Sequence, residues 1–399
     1  MNILFLSHRV PFPPNEGGKI RAFHMIRHLN QHHHLVVASL AESEEEVRRA
    51  EGLKELCREL IVEVVPPARR WAQSVAALPT TTPSSVAYFW SPRLYARIRA
   101  AVAAQAFDAV IVHCAFVAQY VQPSDARFQL LDFVDMDSGK WAEYAVHRRF
   151  PLSLGYRLEA AKLRAYERKA TEWFHQCAVT TAGELDTYSQ LGSPTPCSVM
   201  ANGVDAKYFG QAAPRLRRGG TVLAFLGRMD YFPNVDGICF FARDVFPLVR
   251  AQCPTAELRI IGMNPTAEVR ALAETPGIIV TGSVPDVRPY LQDATLTVAP
   301  LRIARGTQNK VLESMASGIP VVTTTLAARG VQAEPNQHLL VADEPRRMSE
   351  EILRLLRDTD LQEQLARAAQ EQVQRAHSWA LTCGQLDQLL SRHAARIAA

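Results

Sequence analysis

No run of about 18 uncharged apolar residues occurs in the chain, so the sequence offers no helical segment to cross a bilayer. No secretory leader is expected either. Residues 1–6 run straight into a strand-like apolar pattern, without a basic region, an apolar core and a cleavage site. The expectation is a cytoplasmic protein. Cysteine is sparse: Cys57, Cys114, Cys177, Cys197, Cys239, Cys253 and Cys383 are odd in number, scattered and never spaced C-x-x-C. That pattern argues against a disulfide framework and a zinc site. Charge of one sign is weak too. A net +4 does not call for nucleic acid, and none is expected as a partner, though it suits an anionic substrate or membrane surface. Finally, no G-x-G-x-x-G follows the first apolar run, which argues against a dinucleotide-dependent oxidoreductase.

What is present is alternation. A chain of 399 residues exceeds one ordinary core and fits two domains of about 150–200 residues each. In the first half, strand-like runs at 2–7, 35–40, 61–65, 109–113, 128–134 and 178–181 alternate with helical patterns, clearest at 18–30 and 47–60. In the second half, runs at 222–227, 258–262, 278–281, 296–299 and 321–324 are separated by helical patterns at 235–250, 267–273, 287–291 and 308–317. This predicts an α/β protein with two doubly wound, Rossmann-like domains of parallel sheet. Ligands in such sheets sit at the carboxyl ends of the strands. The Thr/Pro/Ser-rich stretch 80–85 reads as a surface loop, and 210–220 as the linker.

The most informative stretch is 305–322, which reads RGTQNKVLESMASGIPVV. A strand ending near Pro300 runs into a loop carrying Gly306, and a helix starts around Thr307, Gln308 and Asn309. Free backbone N–H groups and the positive end of a helix dipole make an anion site there. Gly306 lets backbone approach a phosphate, and Lys310 adds a mobile positive charge. Glu313, one turn in, can accept hydrogen bonds from ribose hydroxyls. The spacing alone equally fits an ordinary helix start with a surface lysine and glutamate.

This segment resembles the donor-binding signature of glycosyltransferase family 4. Glu313, Met315, Ala316, Gly318, Pro320, Val321 and Val322 match the helix that closes the family's motif. The resemblance extends over most of the chain. Residues 200–205 (MANGVD) resemble the family's hinge element, and Leu226-Gly227-Arg228 the loop whose arginine contacts the donor diphosphate. Residues 281–286 (TGSVPD) resemble the loop beside the base, and His377-Ser-Trp379 opens the last helix. Residues 11–21 (PFPPNEGGKIR), 134–138 (VDMDS) and 306–310 (GTQNK) resemble a subgroup associated with PEP-CTERM/exosortase systems of exopolysaccharide producers.

The resemblance implies the GT-B fold, with the active site between two Rossmann-like domains. The division it implies is 1–205 on the acceptor side, 206–376 on the donor side, and a terminal helix, 377–399, returning to the first domain. It implies a retaining transferase that moves a sugar from a nucleotide-diphosphate sugar to a saccharide or lipid-linked acceptor, with no required metal or other cofactor. Two departures stand out. Arg305 occupies the position of the family's first glutamate, and the lysine that commonly follows Arg228 is missing, a charge that Lys310 can replace.

In the first half, Gly17 and Gly18 lie between a strand and a helix, where backbone can approach a phosphate or sugar. Asp132, Asp135 and Asp137 form an acidic cluster after a strand. Three readings stay open for it: a metal pair, a carboxylate (Asp135 or Asp137, beside Lys140) orienting the acceptor hydroxyl, or caps of a helix starting near Gly139. His113 ends a strand and reads either as a base or hydrogen-bonding group for a sugar hydroxyl, or as a buried structural histidine. The series His24, His28, His32, His33 and His34 reads as a solvated helix face. Residues 140–175 hold eight Lys or Arg against four Glu, interleaved with Trp141, Tyr144, Phe150, Tyr156, Tyr166, Trp173 and Phe174. This is either a helical hairpin with inward aromatics or a peripheral membrane contact, each basic residue contributing about 1 kcal/mol near an anionic surface. Two rival functions share the fold: a nucleotide-sugar epimerase, and a non-catalytic nucleotide-sugar-binding component of a polysaccharide assembly system.

Overall fold

The computed structural model describes residues 1–14, 17–210 and 221–398. Apart from Gly210, the expected linker 210–220 lies outside them, as do Asn15 and Glu16. The chain forms two compact units, Met1–Ala201 with Thr382–Ala399, and Asn202–Leu381.

The first unit is built on β1 (Asn2–Ser7), β2 (His34–Ala41), β3 (Glu59–Val64), β4 (Phe107–His113), β5 (Ala126–Val134), β6 (Gln176–Val179) and β7 (Cys197–Val199). Their order is β3-β2-β1-β4-β5-β6-β7, with every pairing parallel. The central strands are near-continuous apolar runs because helices cover both faces of the sheet. Order reverses between β1 and β4, so the backbone opens into a crevice at their carboxyl ends.

The second unit carries β8 (Val222–Leu226), β9 (Glu257–Ile261), β10 (Ile278–Gly282), β11 (Leu296–Ala299), β12 (Val321–Thr323) and β13 (Leu340–Val341). Here the order is β10-β9-β8-β11-β12-β13, again all parallel, with the reversal between β8 and β11.

Several helices depart from the sequence expectation for local reasons. The pattern at 47–60 is a helix over Glu44–Arg49 followed by a 3-10 stretch over Ala50–Leu56. Gly52 sits in that stretch, and a Cβ there would meet the Phe12 ring at 2.8 Å. The pattern at 235–250 widens into a π turn over Phe241–Val245, between helices Phe232–Phe240 and Phe246–Gln252. Pro247 lacks the N–H that a regular helix would use there. The expected loop 80–85 already begins the helix Ser84–Tyr88, because buried Glu159 accepts from the N–H groups of Ser84 (2.9 Å) and Ser85 (2.8 Å).

The histidine series is only partly solvated. His28 Nε2 donates to the Asp387 carboxylate at 2.7 Å, since the C-terminal helix Trp379–Ala398 packs along the helix Gly17–Leu29. The stretch 140–175 is a hairpin of helices Asp137–Val146 and Leu152–Thr171. Most of its aromatics meet one another, with Trp141 and Tyr156 ring centroids 5.2 Å apart. Phe150 does not join them, being 79% exposed. Among the described residues no helix is long and apolar enough to cross a membrane.

Candidate functional site

Two groups of polar side chains gather at the two points where strand order reverses. In the second unit, the carboxyl end of β8 leads into Gly227 and Arg228. The end of β11 leads into the loop carrying Arg305, Gly306 and Thr307, and then into the helix Asn309–Ala316. Gly306 has φ +60°, in the left-handed region that glycine enters without penalty. Gly227 is required by crowding: a Cβ there would sit 2.6 Å from the Asn234 amide and 3.3 Å from the Lys310 amine.

Lys310 is held beneath Gly227. Its amine donates to Asn234 Oδ1 and lies 4.7 Å from the Phe225 ring centroid. Asn234 is buried and donates in turn to the Arg228 carbonyl at 2.9 Å. Burial pulls the Lys310 amine down to about 7, with Glu313 opposing the shift. Glu313, one turn further along, is pushed up to about 7 by burial, with Lys310 opposing it. Its carboxylate accepts no hydrogen bond from the described residues. Arg228 is turned back on Asp230, with contacts of 3.1 and 2.8 Å, and Asn264 steadies Asp230 at 3.2 Å.

The helix start is left unfinished. Gln308, the N-cap residue, makes no side-chain cap; its amide donates instead to the Arg305 carbonyl at 2.9 Å. No acidic residue lies in the first turn. The buried Thr307 Oγ1 and Asn309 Oδ1 have no hydrogen-bond partner among the described residues. Buried polar atoms are nearly always satisfied, so a cluster left open around a desolvated amine and a helix N-terminus has the composition of an anion and hydroxyl site.

Residues 220–358, which contain this whole group, match the family described as glycosyl transferases group 1. No curated protein matches the chain in sequence. Among solved structures, sucrose-phosphate synthase from Thermosynechococcus elongatus superposes with a TM-score of 0.72 at 15% identity, covering 99% of this chain and 100% of that one. Anabaena HepE in complex with UDP-glucose gives a TM-score of 0.68 at 15% identity, with 98% and 100% coverage. The fold is GT-B. TarM, at a TM-score of 0.70 and 11% identity, covers 98% of each chain and shares the same GT-B architecture.

In the first unit of this GT-B chain the polar group is closed on itself. Arg21 is fully buried and grips Asp132 with two bonds, 2.8 and 2.9 Å, while donating to the Met200 carbonyl at 2.9 Å. His113 is also fully buried. Its Nδ1 lies 2.8 Å from Asp132 and its Nε2 3.1 Å from the Gly18 carbonyl. Burial alone would raise the Asp132 carboxyl, but Arg21 and His113 outweigh it and hold the group well below the usual carboxylate range. His113 thus anchors Gly18 in the first turn of the helix Gly17–Leu29, where the sequence predicts a loop, and direct contact with a sugar would require exchanging one of these bonds.

The acidic cluster does not stay together. Asp132 faces Arg21. Val134 then takes φ +68°, and the pairing of β5 with β6 shifts register between Asp132 and Val134. A β-branched residue in the left-handed region is strained, and this bulge re-aims the next side chain. Asp135 accordingly accepts from Thr180 at 2.9 Å. Burial, then Glu184, pushes the Asp135 carboxyl up to about 6. Asp137 begins the helix, 3.7 Å from Lys140. The capping reading needs correction: the N-cap position is Met136, and distant carboxylates do the capping. Glu184 accepts from Met136 N–H (2.7 Å) and Glu167 from Ser138 N–H (2.9 Å). Among the described residues no group of three or more His, Cys, Asp or Glu is arranged to hold a metal ion.

Sequence reasoning missed Asn234, Phe225 and His8. His8 follows β1 at the reversal point, half-buried, and a Cβ on Gly18 would lie 3.8 Å from its ring. Burial, then Arg9 and His113, push it well below its ordinary value, so it is a neutral imidazole. Its place one residue after the first strand was the available signal.

Proposed function

We propose that this chain is a retaining glycosyltransferase that transfers a sugar from a nucleotide-diphosphate sugar to a saccharide or lipid-linked acceptor, as in exopolysaccharide assembly. The observation that carries the reading is the unfinished anion site of Lys310, Asn234, Thr307 and Asn309 within the region matching group 1 glycosyl transferases. In this reading Lys310, Arg228 released from Asp230, and the first N–H groups of the helix Asn309–Ala316 take the diphosphate. They stabilise the charge that grows on it as the sugar–phosphate bond breaks. Glu313 accepts from the ribose hydroxyls. Gly306, Thr307 and Gln308 line the approach, and Arg305 faces the sugar in place of a carboxylate. UDP and UDP-glucose, found on Anabaena HepE, are the first donors to test.

On the acceptor side the reading uses the helix start at Gly17 and Gly18 and the groups around it. Asp135 is ionised at neutral pH with a carboxyl poised near 6, which suits accepting a hydrogen bond or proton from an acceptor hydroxyl. His113 holds the turn, and Asp137 with Lys140 lies beside Asp135 in sequence at the helix start. No metal or other cofactor is required in this scheme.

Calorimetric titration with UDP, GDP and ADP, followed by slow donor hydrolysis assayed without acceptor, tests the proposal. One nucleotide binding in the micromolar range, lost in Lys310→Ala and Glu313→Ala, is the expected result. Unchanged affinity in both variants sinks the site. Binding without any turnover would favour the non-catalytic alternative.

A further inference from the structure

The first unit carries two helices that bury charged side chains and turn large apolar ones outward, although the second also buries Leu163 and Ala170. In the helix Pro67–Ala77 the buried residues are Arg70, Ser74 and Ala77. Trp71, Val75 and, one residue past its end, Leu78 face outward, 64, 61 and 61% exposed. They recur at the spacing of one helical face. In the helix Leu152–Thr171, Glu159 and Glu167 are buried, whereas Leu152, Leu154 and Leu158 are 57, 50 and 56% exposed. Val146, at the end of the preceding helix, and Phe150, in the connection, are 77 and 79% exposed.

These side chains form one continuous surface. Lys162, one turn after Leu158, donates to the carbonyls of Ala77 (3.3 Å) and Leu78 (2.8 Å). The stripe Leu154–Leu158 therefore runs into Leu78, Val75 and Trp71. Contiguous apolar exposure on this scale marks an interaction face.

The exposed charge around these helices is mostly positive, with Glu42 and Glu172 as exposed exceptions. No acidic residue occurs between Glu63 and Asp108. Within 138–171 the acids are Glu143, Glu159 and Glu167; the last two are buried and bind the backbone N–H groups of Ser84, Ser85 and Ser138. Arg69, Arg148, Arg149, Arg157 and Arg164 are exposed around the apolar stripe. Aromatic and leucine side chains standing out beside these arginines match the headgroup–acyl boundary of an anionic bilayer.

We infer that the outer face of helices Pro67–Ala77 and Leu152–Thr171 docks on an anionic lipid surface. Trp71, Phe150 and Leu154 enter the interface, and the arginines lie among the headgroups. The inference rests on the first unit alone, so it stands or falls separately from the nucleotide reading.

The test is cosedimentation of the full chain with sucrose-loaded vesicles of phosphatidylcholine alone, or with roughly one-third phosphatidylglycerol, without nucleotide. Binding to the anionic vesicles is expected to exceed binding to neutral ones by at least about tenfold, and to weaken with salt. The triple variant Trp71→Ser, Phe150→Ser, Leu154→Ser should lose about tenfold in binding at an unchanged melting temperature, since all three side chains are exposed. The variant Arg148→Gln, Arg149→Gln, Arg157→Gln should lose the anionic preference. Absence of wild-type binding to either vesicle overturns the inference. So does equal binding by the apolar triple variant. A wild-type dimer in sedimentation velocity that the triple variant dissolves would assign the face to a second copy instead.

Discussion

The two reversal points of this chain solve the same geometric problem in opposite ways. At the first, between β1 and β4, a buried cation, a buried carboxylate and a buried imidazole satisfy one another, and their last bond fixes the Gly18 carbonyl. At the second, between β8 and β11, a desolvated amine hydrogen-bonds a neutral amide, and two buried oxygens have no partner among the described residues. The first is a structural keystone. The second holds interaction capacity that folding has not used, as a ligand site should before its ligand arrives.

The sharpest way to break this contrast is Asp132→Asn. It leaves Arg21 buried without a counter-charge, and removing one partner of a buried pair costs about 3–5 kcal/mol. Urea denaturation should show that loss; a change under about 1 kcal/mol would mean that the keystone is not one. The wild-type pair has its own pH signature. Because the folded carboxyl lies below its unfolded value, its contribution is present above the usual carboxylate pKa and lost as pH falls through the folded value.

Lys310→Met is the counterpart. Removing a desolvated amine should leave the free protein as stable or more stable by denaturation, yet weaken nucleotide-diphosphate binding by about 30- to 100-fold, the worth of a charge-assisted contact. A large loss of stability with unchanged binding would exchange the roles assigned to the two sites.

A smaller effect concerns Glu167. Burial pushes its carboxyl up to about 8, so the folded state keeps a proton that the unfolded chain releases near 4.5. Stability from this group is complete below the unfolded value and lost as pH rises through about 8. Glu167→Gln should flatten that decline and gain about 1–2 kcal/mol over wild type at alkaline pH, measured by denaturation on both sides of the window.

The smallest expected signal is the most specific to the open site. At pH 8 the Lys310 amine, at about 7, is mostly neutral, and a bound diphosphate raises its pKa. Nucleotide binding should then take up a fraction of a proton, visible as a dependence of calorimetric enthalpy on buffer ionisation. Lys310→Met should abolish it.

Much of this was legible in the residues. The strand runs, the glycine loops and the helix start at 306–313 depend on local patterns, and β1 and β11 occupy the spans that alternation predicts. What stayed illegible is long-range. Asn234 meets Lys310 across 76 positions, and Glu159 caps Ser84 from 75 positions away. The outward stripe of Trp71, Val75 and Leu78 was invisible for another reason. Helical spacing shows that residues share a face, and only packing shows whether that face is buried.

The sequence by itself determined the fold class, most of the strands though not the short β7 and β13, and the position of the open helix start. Each follows from short-range periodicity and from the few residues that backbone turns tolerate. The tertiary structure decided which polar groups are spent and which are left over. Arg21 and Lys310 are both cations in the first turns of helices that follow glycines, and they read alike in one dimension. Parallel pairing places Asp132 of β5 and His113 of β4 side by side in register, within reach of Arg21. Beside Lys310 the described residues place an amide, a phenyl ring and Glu313. Satisfaction of a charge is a property of its neighbours in space, so the finished site and the waiting one could be told apart only after folding.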